Sequence, residues 1–223
     1  MFKATDFFSG VGGISYGLQI AGFEVTGIDI EFQPDYIGDY FVQSDAIKYA
    51  YDHDCDCIVH LGSPPCQHDC MLTAGTNAGL YEYPDLLEPT LKAFQSSNKP
   101  WIIEQPPGKA TSRMRELLRS PDLTLCGEMF GLGVIRHRNF WIEGFDIPKI
   151  DHIPHRGRVS GMRHGQWYEG PYFAVYGEGG GKGTVAQWQV AMDIDWTENR
   201  KSIAEAIPPA YSQYIGEEIM GQL

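Results

Sequence analysis

The chain has 223 residues, 43% of them hydrophobic, with a formal net charge of −12 and five cysteines. That length suits one domain carrying a small insertion, and the ordinary composition excludes a disordered or fibrous chain. No stretch approaches the ~20 apolar residues of a membrane span, and the N-terminus lacks the basic-then-apolar order of a signal peptide, so a cytoplasmic protein with reduced thiols is expected.

The charge is unevenly spread. Residues 1–100 hold 4 Lys+Arg against 14 Asp+Glu, whereas residues 109–163 hold 10 against 6. The basic block comprises Lys109, Arg113, Arg115, Arg119, Arg136, Arg138, Lys149, Arg156, Arg158 and Arg163. A local basic face can hold a polyanion even on an acidic protein.

Thr5-Asp6-Phe7-Phe8 reads as a first strand running into the turn Ser9-Gly10-Val11-Gly12-Gly13. A helix over Ile14–Ala21 and a strand over Phe23–Asp29 follow. Glycines let backbone approach a ligand, and a helix N-terminus offers free N–H groups. Asp29 stands 19 residues after Gly10, about where a dinucleotide fold keeps its ribose-binding acid. The dinucleotide pattern is incomplete, because Ser15 takes the last glycine position. Cofactors containing NAD, FAD or S-adenosylmethionine stay open on this motif, with a slight preference for the last. Tyr40–Gln43 forms a third strand, after which Asp45 could accept from an adenine amino group or cap the helix that begins near Ala46.

Cys57-Ile58-Val59-His60-Leu61 then leads into Gly62-Ser63-Pro64-Pro65-Cys66-Gln67. The two prolines end the strand and stiffen the loop, so the Cys66 thiol is held at the mouth of the sheet, where α/β folds bind ligands. A buried, purely structural cysteine is the competing reading. Residues 73–79 read as a loop that could act as a lid, Leu86–Ser97 as a helix, and Pro100–Glu104 as a fifth strand stopped by Gln105-Pro106-Pro107. A glutamate ending an apolar strand needs a partner or a task, because burying its charge is costly. A helix over Ser112–Arg119 precedes Val134–Trp141, where strand alternation would put Arg136 and Arg138 on one face. The stretch from Glu143 to about Asp195 shows little periodicity, residues 176–183 read as a linker, and a last helix starts at the Pro208-Pro209 pair.

Phe8 to Gly13, Pro64-Pro65-Cys66-Gln67, Glu104 and Arg136-His137-Arg138 together resemble the ordered motifs of cytosine-5 DNA methyltransferases, and Ala206–Tyr211 is similar to a small phage-encoded branch of that family. The resemblance spans residues 5–141 and 203–219. It implies an α/β, Rossmann-like S-adenosylmethionine-dependent methyltransferase fold with a small irregular insertion. The implied division is a catalytic core over 1–142, a recognition segment over 143–200 and a returning C-terminal helix over 201–223. It further implies a catalytic set of Cys66, Glu104, Arg136 and Arg138. S-adenosylmethionine would contact Phe8, Ser9, Gly10, Val11, Gly12, Gly13, Asp29, Ile30, Asp45, Ala46 and Pro64, and the partner would be duplex DNA held by the 109–163 block in a (host) cytoplasm.

His68-Asp69-Cys70 departs from the family's aromatic and serine, Gln105-Pro106 replaces Asn-Val, and Val134 stands where a glutamine often precedes the arginines. The segment 143–200 is short for target recognition, which keeps open a tRNA or free-nucleotide substrate, or a cofactor-binding module without catalysis. Cys55, Cys57, Cys66, His68 and Cys70 follow no standard zinc spacing, and His152-x-x-His155 is weaker still, so no metal is expected.

Overall fold

The computed structural model describes residues 1–66, 84–177 and 182–223. In chain order its elements are β1 (Phe2–Phe7), α1 (Gly13–Ile20), β2 (Phe23–Asp29), β3 (Tyr40–Gln43), α2 (Ala46–Asp52), β4 (Val59–Gly62), α3 (Leu87–Ser96), β5 (Trp101–Gln105), α4 (Lys109–Leu117), β6 (Leu123–Leu125), β7 (Arg138–Glu143), β8 (Gly161–Arg163), β9 (Gln166–Tyr168), α5 (Val185–Met192), α6 (Arg200–Glu205) and α7 (Pro209–Met220). Among the described residues seven strands make one sheet in the order β3-β2-β1-β4-β5-β7-β6. The pairs from β3 across to β5 are parallel, and β7 runs antiparallel to both β5 and β6. After β1 the chain winds to one side through β2 and β3, then returns to place β4 on the other side. The order of winding therefore reverses between β1 and β4, and a crevice at such a reversal is where open α/β sheets bind their ligands.

Strand alternation divides the core between two faces. Ile102 packs with Ala4, Val25, Val59 and Leu61 under α1 and α7, whose Leu18, Tyr211, Ile215 and Ile219 are all buried. Its neighbours Trp101 and Ile103 face the other way, with Phe7, Ile28 and Trp141, under α2, α3 and α4. A side-chain period of two in a sheet covered on both faces requires this split. Helix α7 sits tightly on α1 because α1 is lined by glycine there. A Cβ on Gly13 or Gly17 would stand 2.1 Å from the carbonyl oxygens of Ile207 or Pro209.

The stretch read as irregular is more structured than its sequence pattern suggested. It contains the β8–β9 hairpin and α5, which opens on a reciprocal cap between Thr184 and Gln187. Trp188, Ala191, Met192 and Ile194 pack with Val134, Val175 and Ile203 in a third apolar cluster. The strand expected from Val134 begins only at Arg138, so alternation does not extend back to Arg136. The expectation of reduced thiols is corrected at one pair: Cys55 and Cys57 form a disulfide, their Cα atoms 5.2 Å apart, within the span such a bond bridges. These two cysteines precede β4 while Cys66 follows it, so the three described cysteines of the metal set weighed above do not share one end of the strand. Its His68 and Cys70, like the loop at 73–79, lie outside the described residues, as do positions 178–181 of the expected linker. Among the described residues no helix is long and apolar enough to cross a membrane.

Candidate active site

The turn after β1 departs from regular backbone at once. Phe8 has φ 61°, a left-handed conformation uncommon for a bulky residue, and Gly10 and Gly12 follow with φ 50° and 88°. Such outliers persist where surrounding structure holds them, often at ligand sites. Here the Ser9 N–H donates to Ile28 O (3.1 Å), and the Gly10 N–H donates to Asp29 Oδ2 (2.9 Å). Asp29 Oδ1 accepts from the Glu31 N–H (3.0 Å). Asp29 thus locks the turn to the end of β2, and each of its oxygens keeps a lone pair for a hydroxyl donor. Gly10 faces open space, with no atom within 4 Å of where a Cβ would stand. Val11 and Gly13 are buried beside it.

Two buried polar atoms at this turn, Ser9 Oγ and Asp6 Oδ1, have no hydrogen-bond partner among the described residues. Orphaned buried groups of this kind ask for an explanation, and a polar ligand is one. The other Asp6 oxygen accepts from Ser15 Oγ (2.7 Å), which lies 2.9 Å from the Tyr36 hydroxyl. Burial raises the Asp6 pKa to about 7, against the lowering effect of the Ser15 bonds. Asp6 was not singled out in the sequence; a carboxylate inside an apolar strand, one residue before Phe7, was the signal available. At the next strand end, Asp45 Oδ1 caps α2 by accepting from the Lys48 N–H (2.9 Å). Asp45 and Ile30 are exposed, whereas Ala46 is buried. A cleft of about 180 Å³ adjoins this edge, between Val11, Glu31 and Phe32 on one side and Asn199, Ser202 and Glu205 on the other.

Across the crevice, Cys66 is half-buried just beyond β4. The Pro64 carbonyl is held by the Gln105 side-chain amide (2.7 Å), which ties the loop before Cys66 to the end of β5. On β5, Glu104 lies opposite Phe140 of β7, so Arg138, two residues from Phe140, stands diagonally across on the same face. The Arg138 Nε is 2.9 Å from Glu104 Oε1, in a pair that is largely buried. The two are close but not aligned, because Glu104 Oε1 still lacks a hydrogen-bond donor among the described residues. Burial pushes the Glu104 carboxyl above its ordinary pKa, opposed by the charges of Arg138 and Arg136 and by the Ser63 hydroxyl.

Arg136 is directed elsewhere. Its Nη1 donates to Val175 O (3.0 Å), and its Nη2 donates to Ala204 O (2.7 Å) and Ala206 O (2.8 Å). Its own carbonyl accepts from the Tyr211 hydroxyl (2.6 Å). Burial brings its pKa down to about 9, helped by the like charge of Arg138 and countered by Tyr211, Glu104 and Cys66. At neutral pH it remains a cation within electrostatic reach of both Glu104 and Cys66.

The basic block is less open than its sequence suggested. Arg113 pairs with Asp85, Arg119 with Asp122 (3.0 Å) and Arg156 with Glu128 (2.6 Å). Arg158 lies over the Tyr168 ring at 5.0 Å. Asp122 and Glu128 belong to the block itself and Asp85 lies outside it, so the acids near these arginines engage them directly rather than leaving a bare cationic face.

No protein-family model matches the sequence, and no curated protein matches it. Solved structures do. The fold is similar to that of the Dnmt2 methyltransferase of S. pombe, with a TM-score of 0.64 and 14% identity over 100% of this chain and 99% of that one. It is similar also to a prophage-encoded E. coli protein assigned as a DNA modification methyltransferase, with a TM-score of 0.58 and 15% identity over 99% of both chains. The mostly parallel α/β sheet is therefore Rossmann-like, as the motifs implied, and similar to the fold of these two proteins.

Proposed function

We propose that the chain transfers a methyl group from S-adenosylmethionine to C5 of cytosine in DNA, with Cys66 as a transient nucleophile. The observation that carries this reading is the buried Glu104–Arg138 pair beside the strand end that presents Cys66. The two methyltransferase neighbours of matching length support it at the level of fold. The glycine turn suits the cofactor's amino-acid end: it is open at Gly10, and Ser9 Oγ and Asp6 Oδ1 are buried without partners. Asp29 would hold the ribose hydroxyls and Asp45 the adenine amino group through its second oxygen, with Ile30 and Ala46 alongside. S-adenosylmethionine, when bound, supplies an electrophilic methyl carbon.

Unactivated C5 of cytosine is too weak a nucleophile to take that methyl. The Cys66 thiolate adds to C6, forming a C6–S bond, and the electron pair displaced toward N3 is met there by the Glu104 proton. C5 becomes enamine-like and accepts the methyl group. Loss of the C5 proton to a base then restores the C5–C6 double bond, expels the thiolate, and N3 returns its proton. The raised pKa of Glu104 keeps that proton available, while the Arg138 guanidinium holds the carboxyl and the base carbonyl. The Arg136 cation, within electrostatic reach of Cys66, favours the thiolate over the thiol. In a duplex, C6 is stacked, so the base must be flipped out at a cost of a few kcal/mol.

The test is a covalent trap. With cofactor and 5-fluorocytosine duplex DNA, the wild type should form an adduct that survives denaturing electrophoresis, and Cys66→Ser should not. Absence of adduct from the folded wild type overturns the covalent mechanism. Adduct competed away by tRNA or dCMP, but not by duplex DNA, moves the substrate to RNA or a free nucleotide.

A further inference from the structure

Four side chains from three separate segments converge outside the site described above. Cys126 follows β6, His137 stands between Arg136 and Arg138 at the start of β7, and His152 and His155 belong to the irregular segment after β7. One ligand atom from each lies within 4.8 Å of all the others. His137 Nε2 is 3.0 Å from His152 Nε2, and Cys126 Sγ is 3.6 Å from His155 Nε2. The three imidazoles also pack on one another, with centroids 4.9–5.4 Å apart.

We propose that Cys126, His137, His152 and His155 form a tetrahedral zinc site. Zn–N bonds of ~2.0–2.1 Å and a Zn–S bond of ~2.3 Å give tetrahedral N–N edges of roughly 3.3–3.4 Å and N–S edges of roughly 3.5–3.6 Å; the Cys126–His155 edge of 3.6 Å matches, and the His137–His152 edge of 3.0 Å needs only a slight opening. One thiolate and three neutral imidazoles are a donor set that Zn²⁺ accepts, and four protein ligands leave no open position, which makes the site structural. Hydrogen bonding alone accounts poorly for the cluster, since a proton shared between two imidazoles does not draw in a third ring and a sulfur.

The surroundings hold the ligands in place. A 3-10 turn over Gly127–Phe130 fixes Cys126, whose N–H meets Met129 Sδ (3.2 Å). Arg156, next to His155, donates its N–H to the Tyr172 hydroxyl (2.7 Å) and pairs with Glu128 of that turn. The segment from 147 to 155 has no helix or strand, and of its residues Ile147 alone is buried. A metal would supply there the stability that a core supplies elsewhere. It would also fasten this segment to the backbone that carries Arg138. The sequence concealed the site because its ligands are spread over 30 residues with only one short repeat, His152-x-x-His155.

The test uses protein made without a histidine tag. Elemental analysis of the purified wild type should find about one zinc per chain. Cobalt replacement should give the visible bands of a tetrahedral ion and a thiolate-to-cobalt charge-transfer band. His152→Ala/His155→Ala, which removes one exposed and one half-buried ring, should weaken zinc binding by about tenfold or more in a chelator competition, with the far-ultraviolet dichroism retained. Cys126→Ser should abolish the charge-transfer band, whereas Cys55→Ser/Cys57→Ser should leave the zinc content unchanged. A wild type that neither retains zinc nor binds it after chelation overturns the site. So does zinc binding that the His152/His155 variant leaves intact.

Discussion

Replacing Arg136 with lysine separates a scaffold role from a chemical one. The guanidinium serves three carbonyls, of Val175, Ala204 and Ala206, through two nitrogens held in a rigid fork. An ammonium is a single point and cannot occupy both positions, so one or two acceptors lose their donor. Hydrogen bonds to charged groups contribute about 1.5–3 kcal/mol each, which sets the gross loss at about 2–5 kcal/mol. The variant also removes the buried Nε, which has no acceptor among the described residues, and this returns about 1–3 kcal/mol. The net expectation is a destabilisation of about 1–2 kcal/mol, seen in urea unfolding as a lower midpoint at unchanged slope. At this chain length that corresponds to a melting temperature lower by roughly 2–8 °C. Because Arg136 joins the approach to β7 to the third apolar cluster and the C-terminal segment, the loss should appear in apo-protein without any substrate. A stability change below about 0.5 kcal/mol, combined with a large loss of turnover, would refute this account and return Arg136 to direct chemistry.

Two other measurements address the buried carboxyls. Glu104→Gln keeps the shape but cannot deliver a proton, so kcat should fall by about 10²–10⁴, or about 3–5 kcal/mol in barrier. In the wild type, activity should decline as pH rises through the raised Glu104 pKa, and the variant's residual activity should lack that decline; an alkaline limb persisting in the variant assigns it to another group. For Asp6, burial raises the folded-state pKa from 3.8 to about 7, so the folded chain holds a proton that the unfolded chain has lost between those values. Its contribution is complete below pH ~4 and disappears as pH climbs to ~7, by up to about 4 kcal/mol. Buried His60, lowered to about 4, works in the opposite direction below pH ~6.5 and partly masks the effect in the wild type. Asp6→Asn should therefore gain stability relative to wild type between pH 5 and pH 7.5 in parallel denaturation curves. A difference that stays constant with pH would show that Asp6 titrates normally.

The sheet was legible because its strands end in strong punctuation. Phe23–Asp29 and Tyr40–Gln43 have the bounds that their apolar runs and flanking residues predicted. Glu104 was legible through the cost of burying a charge, and its partner Arg138 lies one strand away. What escaped depends on contacts between distant segments. Helix α5 is short and weakly amphipathic, and only the Thr184–Gln187 cap announced it. The task of Arg136 is defined by carbonyls 39 to 70 residues further on, which no local pattern encodes. Cys55–Cys57 was read as reduced from the overall cysteine count, although adjacency in space was what decided it.

The seating of α7 against α1 has a consequence for how the chain comes into being. The glycine face of α1, made within the first twenty residues, closes only against a helix that ends at Met220. During synthesis part of one face of the growing sheet stays uncovered until the residues through Met220 have emerged from the ribosome. Early pairing of β1 with β2 thus creates an apolar surface that has to wait for its cover. Such a fold matures late and as a unit, and the interval before closure is when it is most exposed to aggregation.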